Sequence, residues 1–309
     1  MCVGTGYRRT PNLISKIGSR KTRIVGVAVL NDKIYVVRTE ESSIEVYHGS
    51  TFAALKGVAI PDMKNPQHMV SCSNNKCLYI CNVCNTELDI LKSTKNVNAI
   101  FKIGPAGINQ WPLELDRRMR GCPKWISVNS KANVLVTYIN EIREYSTNGG
   151  VIQIISYKQS FQKQLGLTNI ISFQAVQSIK GNYYILISSA YEAASLFLYE
   201  TDASGIVSFW CCSRVSNKMP LAVSSKGEVF ALDETKNCIL SSNRSSPLKF
   251  NNKFDMGLFQ VDCAMYLDEN SGRLYVGTNG GQLLVFKVSK EKEQPKTSKV
   301  EAKHDLPTN

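Results

Sequence analysis

Histidine is scarce: the 309 residues contain three, His48, His68 and His304. General-base and nucleophilic catalysis most often depend on a positioned imidazole, and none of the three stands in a recognisable motif. No catalytic residue is therefore expected, and the chain reads as a non-enzyme. Long apolar runs are also missing. No stretch of about 18 apolar residues could span a bilayer, and the opening MCVGTGYRRT has no apolar core of a signal peptide. These absences imply a cytoplasmic protein with no membrane partner. Ten cysteines in a chain of this length fall short of a disulfide scaffold and read as reduced, small apolar residues. Gly4-Thr5-Gly6 precedes no helix and lacks a phosphate-loop lysine, so no nucleotide cofactor is expected. No segment sustains an i, i+3, i+4, i+7 apolar stripe for three turns, which excludes helical repeats.

What is present is a repeat. A hydrophobic fraction of 43% and a charged fraction of 20% suit a globular chain with a real core. Six segments share one shape: an apolar strand, a polar turn, a strand of aromatic and β-branched residues, a polar break, then a third strand. They begin near Gly26, His68, Trp125, Gln174, Leu221 and Cys263, roughly 42 to 57 residues apart, a spacing that fits propeller blades. The strands KIYVV, NVLVTY, NYYILI and RLYVG are broken by NDK, NSKAN, IKGN and NSGR, the punctuation of an all-β chain. The expectation is an all-β, six-bladed β-propeller with four-stranded blades.

Such a ring must remove its open edge. The last segment supplies three strands, CAMYLDE, RLYVGT and QLLVFKV, before the composition turns to KEKEQPKTSKVEAKHDLPTN. Its fourth strand must come from elsewhere, and NLISKIG near the N-terminus resembles the last strand of other blades. The predicted division is a closing strand within residues 1–20, a propeller over 21–288, the two forming a single domain, and a disordered charged tail over 289–309.

Segment five carries a family likeness. It reads Lys218-Met219-Pro220-Leu221-Ala222-Val223, then Lys226-Gly227-Glu228-Val229-Phe230-Ala231-Leu232-Asp233, then Asn237-Cys238-Ile239-Leu240. Looser versions run through Asp268 with Gly272-Arg273-Leu274-Tyr275-Val276 and through Lys76-Cys77-Leu78-Tyr79-Ile80. This pattern resembles the NHL repeat, the propeller unit at the C-terminus of many TRIM-type proteins. The strand-ending Asp233 is replaced by Arg38, Asn82 and Asn279 in segments one, two and six. The likeness implies a propeller that binds partners through its loops. It implies no ubiquitin-ligase activity, because no RING, B-box or coiled coil precedes the repeats.

Two further features carry chemistry. Cys72, Cys77, Cys81 and Cys84 include a C-x-x-C, yet on a strand Cys77 and Cys81 would lie about 13 Å apart, too far to share one tetrahedral ion. No metal site is expected there. Cys72 and Cys77 should instead face each other across a SNNK hairpin. The second feature is charge. The net charge is +12, and the blade connectors hold Arg117, Arg118, Arg120, Lys124, Arg214 and Lys218, with Trp111 and Trp125 flanking the first cluster; Arg38 and Lys236 should share this face. The expected function is a non-enzymatic scaffold whose loop face binds an unidentified protein. Single-stranded RNA held by these arginines, with bases stacked on the tryptophans, is the alternative. A metal-dependent propeller hydrolase or lyase comes third, for want of repeated channel ligands.

Overall fold

The computed structural model describes residues 12–18, 22–83, 98–113, 123, 125–138, 141–155, 171–179, 182–189, 196–202, 205–212, 220–226, 228–233, 238–242, 250–255 and 264–288. All regular structure among them is β. Strand β1 (Asn12–Ile17) comes first, and the others follow in runs of four. These are β2 (Ile24–Leu30), β3 (Lys33–Arg38), β4 (Ser43–His48) and β5 (Ala54–Ala59), then β6 (Pro66–Cys72), β7 (Cys77–Asn82), β8 (Ala99–Gly104) and β9 (Gly107–Pro112). Next are β10 (Trp125–Val128), β11 (Val134–Thr137), β12 (Ile142–Tyr145) and β13 (Val151–Ile155), then β14 (Ile171–Ile179), β15 (Asn182–Ser189), β16 (Leu196–Asp202) and β17 (Gly205–Cys212). The last are β18 (Leu221–Val223), β19 (Val229–Asp233), β20 (Cys238–Ser242) and β21 (Phe250–Asp255), with β22 (Ala264–Asp268), β23 (Arg273–Gly277) and β24 (Leu283–Lys287).

Among the described residues these strands make six four-stranded antiparallel sheets. Five are consecutive meanders. In the remaining one the order is β1-β24-β23-β22, with Asn12 opposite Lys287 and Ile17 opposite Leu283. The spare N-terminal strand therefore completes the sheet that the C-terminal segment leaves one strand short.

Burial contrasts the first and last strands of the first sheet. The first strand, IVGVAVL, is buried at nearly every position, because neighbouring sheets cover both of its faces. The last strand, ALKGVA, is almost wholly exposed. The first strands pack in sequence, β2 on β6, β6 on β10, β10 on β14, β14 on β18, β18 on β22, and β22 on β2 again. Glycine permits the tightest of these approaches. A Cβ on Gly26 of β2 would lie 2.7 Å from Met69 Cβ of β6, and one on Gly277 would lie 2.6 Å from Ile24 Cγ2. Any side chain at either position would force neighbouring sheets apart.

The turns follow local chemistry. Asn31 and Asp32 both take positive φ, 51° and 55°, the two-residue hairpin loop that Asn and Asp tolerate. Ser224 and Thr278 each use the side-chain hydroxyl to accept the backbone N–H four residues on, closing a hairpin end.

Arg38 departs from expectation. Placed by the sequence among the basic loop residues, its side chain is 1% exposed. Nη1 donates to the Thr22 carbonyl at 2.7 Å and the Gly281 carbonyl at 2.9 Å, and Nη2 donates to Glu45 at 3.0 Å. Tyr47 donates to the same carboxylate oxygen at 2.9 Å. One guanidinium thus ties the first sheet to the last, a task suited to its fixed fork of donors. Where the repeat would place Asp, the charge is reversed because this strand end must bond two carbonyls.

No helix among the described residues is long and apolar enough to cross a membrane.

Candidate functional site

Of the residues expected to contact a partner, Arg117, Arg118, Arg120, Lys124, Arg214 and Lys218 lie outside the described residues. The two tryptophans are described, and both are interior. Trp111 packs its ring 5.4 Å from Tyr79, with Lys102 Nζ 5.9 Å from its centroid. Trp125 stacks on His68 at 3.5 Å. Neither presents a free face on which a base could stack. Aromatic flanks looked like surface platforms in the sequence because nothing there shows which sheet will cover them.

The histidines divide. His68 is buried, and desolvation pushes its pKa down from 6.5 to about 3, against the opposing hydrogen bond to the Ile126 backbone. It stays neutral and structural at ordinary pH. His48 sits at an exposed turn, where Nδ1 accepts the Ser50 N–H at 3.2 Å and lies 3.1 Å from Ser50 Oγ. Its Nε2 is 3.9 Å from Asp32 Oδ2. The Ser–His–Asp order resembles a catalytic triad, but the imidazole–carboxylate gap exceeds a hydrogen bond. Both side chains are also open to water, 43% and 69% exposed, so the group works as a turn brace.

A cavity of about 370 Å³ opens beside Arg38, Glu45 and Tyr47. Its polar groups bond one another, so it belongs to the latch between the first and last sheets.

Hydroxyl groups from sheets that are not neighbours converge at the hairpin end of the first strands. Tyr266 of β22 reaches past β2, where its hydroxyl lies 3.4 Å from the Val29 carbonyl, and meets Ser71 Oγ of β6 at 3.1 Å. Three first strands from three sheets contribute, and Tyr266, Ser71 and Val29 are all only partly buried. Desolvation raises the Tyr266 pKa, partly offset by the hydrogen bond with Ser71. The phenol therefore stays protonated, able to donate to an oxygen that gains charge. The sequence carried a signal for this pair: Ser71 in HMVSC and Tyr266 in CAMYLDE are hydroxyls that each stand between two apolar residues of a first strand.

On the opposite face of β6, one residue along, sits the thiol pair. Cys72 and Cys77 are direct cross-strand partners, both buried and free. Among the described residues, no group of three or more His, Cys, Asp or Glu side chains is placed to hold a metal ion.

The fold is an all-β assembly of four-stranded antiparallel sheets of the β-propeller type, with a polar cluster where its first strands meet. No protein-family model and no curated protein matches the chain, so the NHL likeness extends no further than the residues that carry it. Solved structures do match. Virginiamycin B lyase from Staphylococcus aureus is similar over 91% of this chain and 100% of that one, with a TM-score of 0.60 and 10% identity. A catalytically inactive variant of the same enzyme with quinupristin gives 0.58 at 10% identity, covering 91% and 99%. A streptogramin B lyase structure gives 0.57 at 11% identity, covering 89% and 96%.

These similarities overturn the expectation of a non-enzymatic scaffold. Over nearly its whole length the architecture is that of named lyases, so a propeller without a linear motif is no mark of pure binding. The physical reason is that a propeller draws functional groups from separate blades, and its sites leave no continuous signature in the chain.

Proposed function

We propose that this chain is a six-bladed propeller lyase whose site is the hairpin end of the ring, built on Tyr266 and Ser71. The circle of first-strand contacts and the three-plus-one sheet support the blade number. The single observation that carries the site is the Tyr266–Ser71 contact, a partly open hydroxyl pair drawn from sheets that are not neighbours. Cleavage by a lyase moves one proton off the substrate and another onto the departing group, so it needs a donor held protonated at working pH. Tyr266 supplies it. The inactive virginiamycin B lyase carries a histidine-to-alanine change; of the two histidines described here, His68 is interior and His48 braces an exposed turn.

The test uses virginiamycin B and quinupristin, incubated with the full chain and followed by liquid chromatography and mass spectrometry. The expected result is consumption of at least one, slowed tenfold or more by Tyr266→Phe. That change deletes only a hydroxyl and should cost about 1 kcal/mol of stability. Neither compound being altered, or Tyr266→Phe retaining the full rate, would overturn the proposal.

A further inference from the structure

Cys72 and Cys77 are placed for chemistry that the lyase reading does not use. They are the terminal pair of the β6–β7 hairpin, directly opposed in register. Opposed residues in antiparallel strands have Cα atoms about 4.5–5.5 Å apart, inside the roughly 4.4–6.8 Å range that a disulfide spans. Cβ atoms point to the same face, and the two thiols hydrogen-bond each other. Gly104 leaves the space beside Cys77 open: a Cβ there would come within 3.3 Å of Cys77 Cβ.

Around the pair the structure favours one negative charge. Cys72 sulfur accepts from the Cys77 thiol first, then from the backbone N–H groups of Asn75 and Asn74 in the turn, with the Lys102 ammonium adding to the effect. These lower its pKa despite burial, while Cys77 is raised, chiefly by the bond it makes to Cys72. The first proton leaves the pair easily and the second does not, so a single thiolate is shared between two sulfurs. Lys102 is fixed by donating to the Thr147 carbonyl at 3.0 Å and by the face of Trp111. The turn residues Ser73 and Asn74 above Cys72 are exposed, leaving only one turn of chain between the sulfur and solvent.

We propose that Cys72 and Cys77 form a reversible dithiol–disulfide couple oxidised by hydroperoxides. Cys72 thiolate attacks one peroxide oxygen: an S–O bond forms, the O–O bond breaks, and the alkoxide or hydroxide leaves, taking up a proton. Cys72 is then a sulfenic acid, two electrons oxidised. Cys77 sulfur attacks it, the S–S bond forms, the S–O bond breaks, and the hydroxyl leaves as water with the Cys77 proton. A small dithiol restores both thiols and is itself oxidised to a disulfide.

The experiment uses the reduced full-length chain and hydrogen peroxide. After stoichiometric peroxide and alkylation of the remaining thiols, trypsin cuts at Lys76, between the two cysteines, releasing peptides 65–76 and 77–92. The expected product is the covalently joined pair, with fragmentation placing the link on Cys77 rather than Cys81 or Cys84, and dithiothreitol separating it. Cys77→Ser should leave Cys72 as a sulfenic acid trapped by dimedone. Alkylation of Cys72 should persist below neutral pH, where ordinary thiols have slowed. Both cysteines remaining fully alkylatable after peroxide, or a link through Cys81 or Cys84, would overturn the proposal. The mapping is made on the unsubstituted protein, so it decides the matter even if a variant fails to fold.

Discussion

Single residues here are chosen for their neighbours more than for their class. Arg38 is basic yet 1% exposed, because two carbonyls and a carboxylate await it. His68 is polar yet interior, stacked on Trp125 with Nδ1 facing no protein partner. Its burial has a measurable consequence. The ordinary pKa of 6.5 falls to about 3 in the folded chain, so between these values the unfolded state binds the extra proton. Stability is full above pH 6.5 and drains as pH falls toward the folded value, by roughly 5 kcal/mol over the whole window. In His68→Phe that proton is absent. Denaturant melts at pH 7 and pH 4.5 should show a smaller acid loss in the variant than in the unsubstituted chain. Equal losses would mean that His68 is not desolvated.

At the scale of elements, the hairpins were legible and their surroundings were not. Alternation, turn residues and β-branched runs located RLYVG and KIYVV because those signals are local, and the strands pair as hairpins with Arg273 opposite Asp268 and Lys33 opposite Leu30. Cys72 and Cys77 could be paired from the four residues between them. NLISKIG could be assigned to the last sheet because one segment lacked a strand and one strand lacked a segment. Burial of Trp111, Trp125 and Arg38 depends on which sheet packs on which, and no local pattern encodes it. The Tyr266–Ser71 pair spans 195 residues of chain, beyond any motif.

The closing strand gives the element-scale prediction. Removing residues 1–20 would leave β24 with a bare edge and expose Leu283 to Phe286, which are buried in the intact sheet. Each buried side chain of this kind contributes about 1.5–3 kcal/mol. The truncated chain should melt at least ~10 °C lower or aggregate on its exposed edge. An unchanged melting temperature would show that β1 adds nothing to the ring.

For the whole molecule, the arrangement separates two ends. The Arg38 latch, where the guanidinium meets the carbonyls of Thr22 and Gly281, occupies one; the turns that follow the first strands, with Tyr266, Ser71 and the thiol pair, occupy the other. Structures with this architecture include lyases, and the chain matches nearly their full length. Hydrogen exchange of the full chain with and without quinupristin tests the assignment of function to the hairpin end most directly. Slower exchange is predicted at the end of β6 around Ser71 and in β22 around Tyr266. Protection confined to the connector from Arg117 to Lys124, or none anywhere, would contradict it.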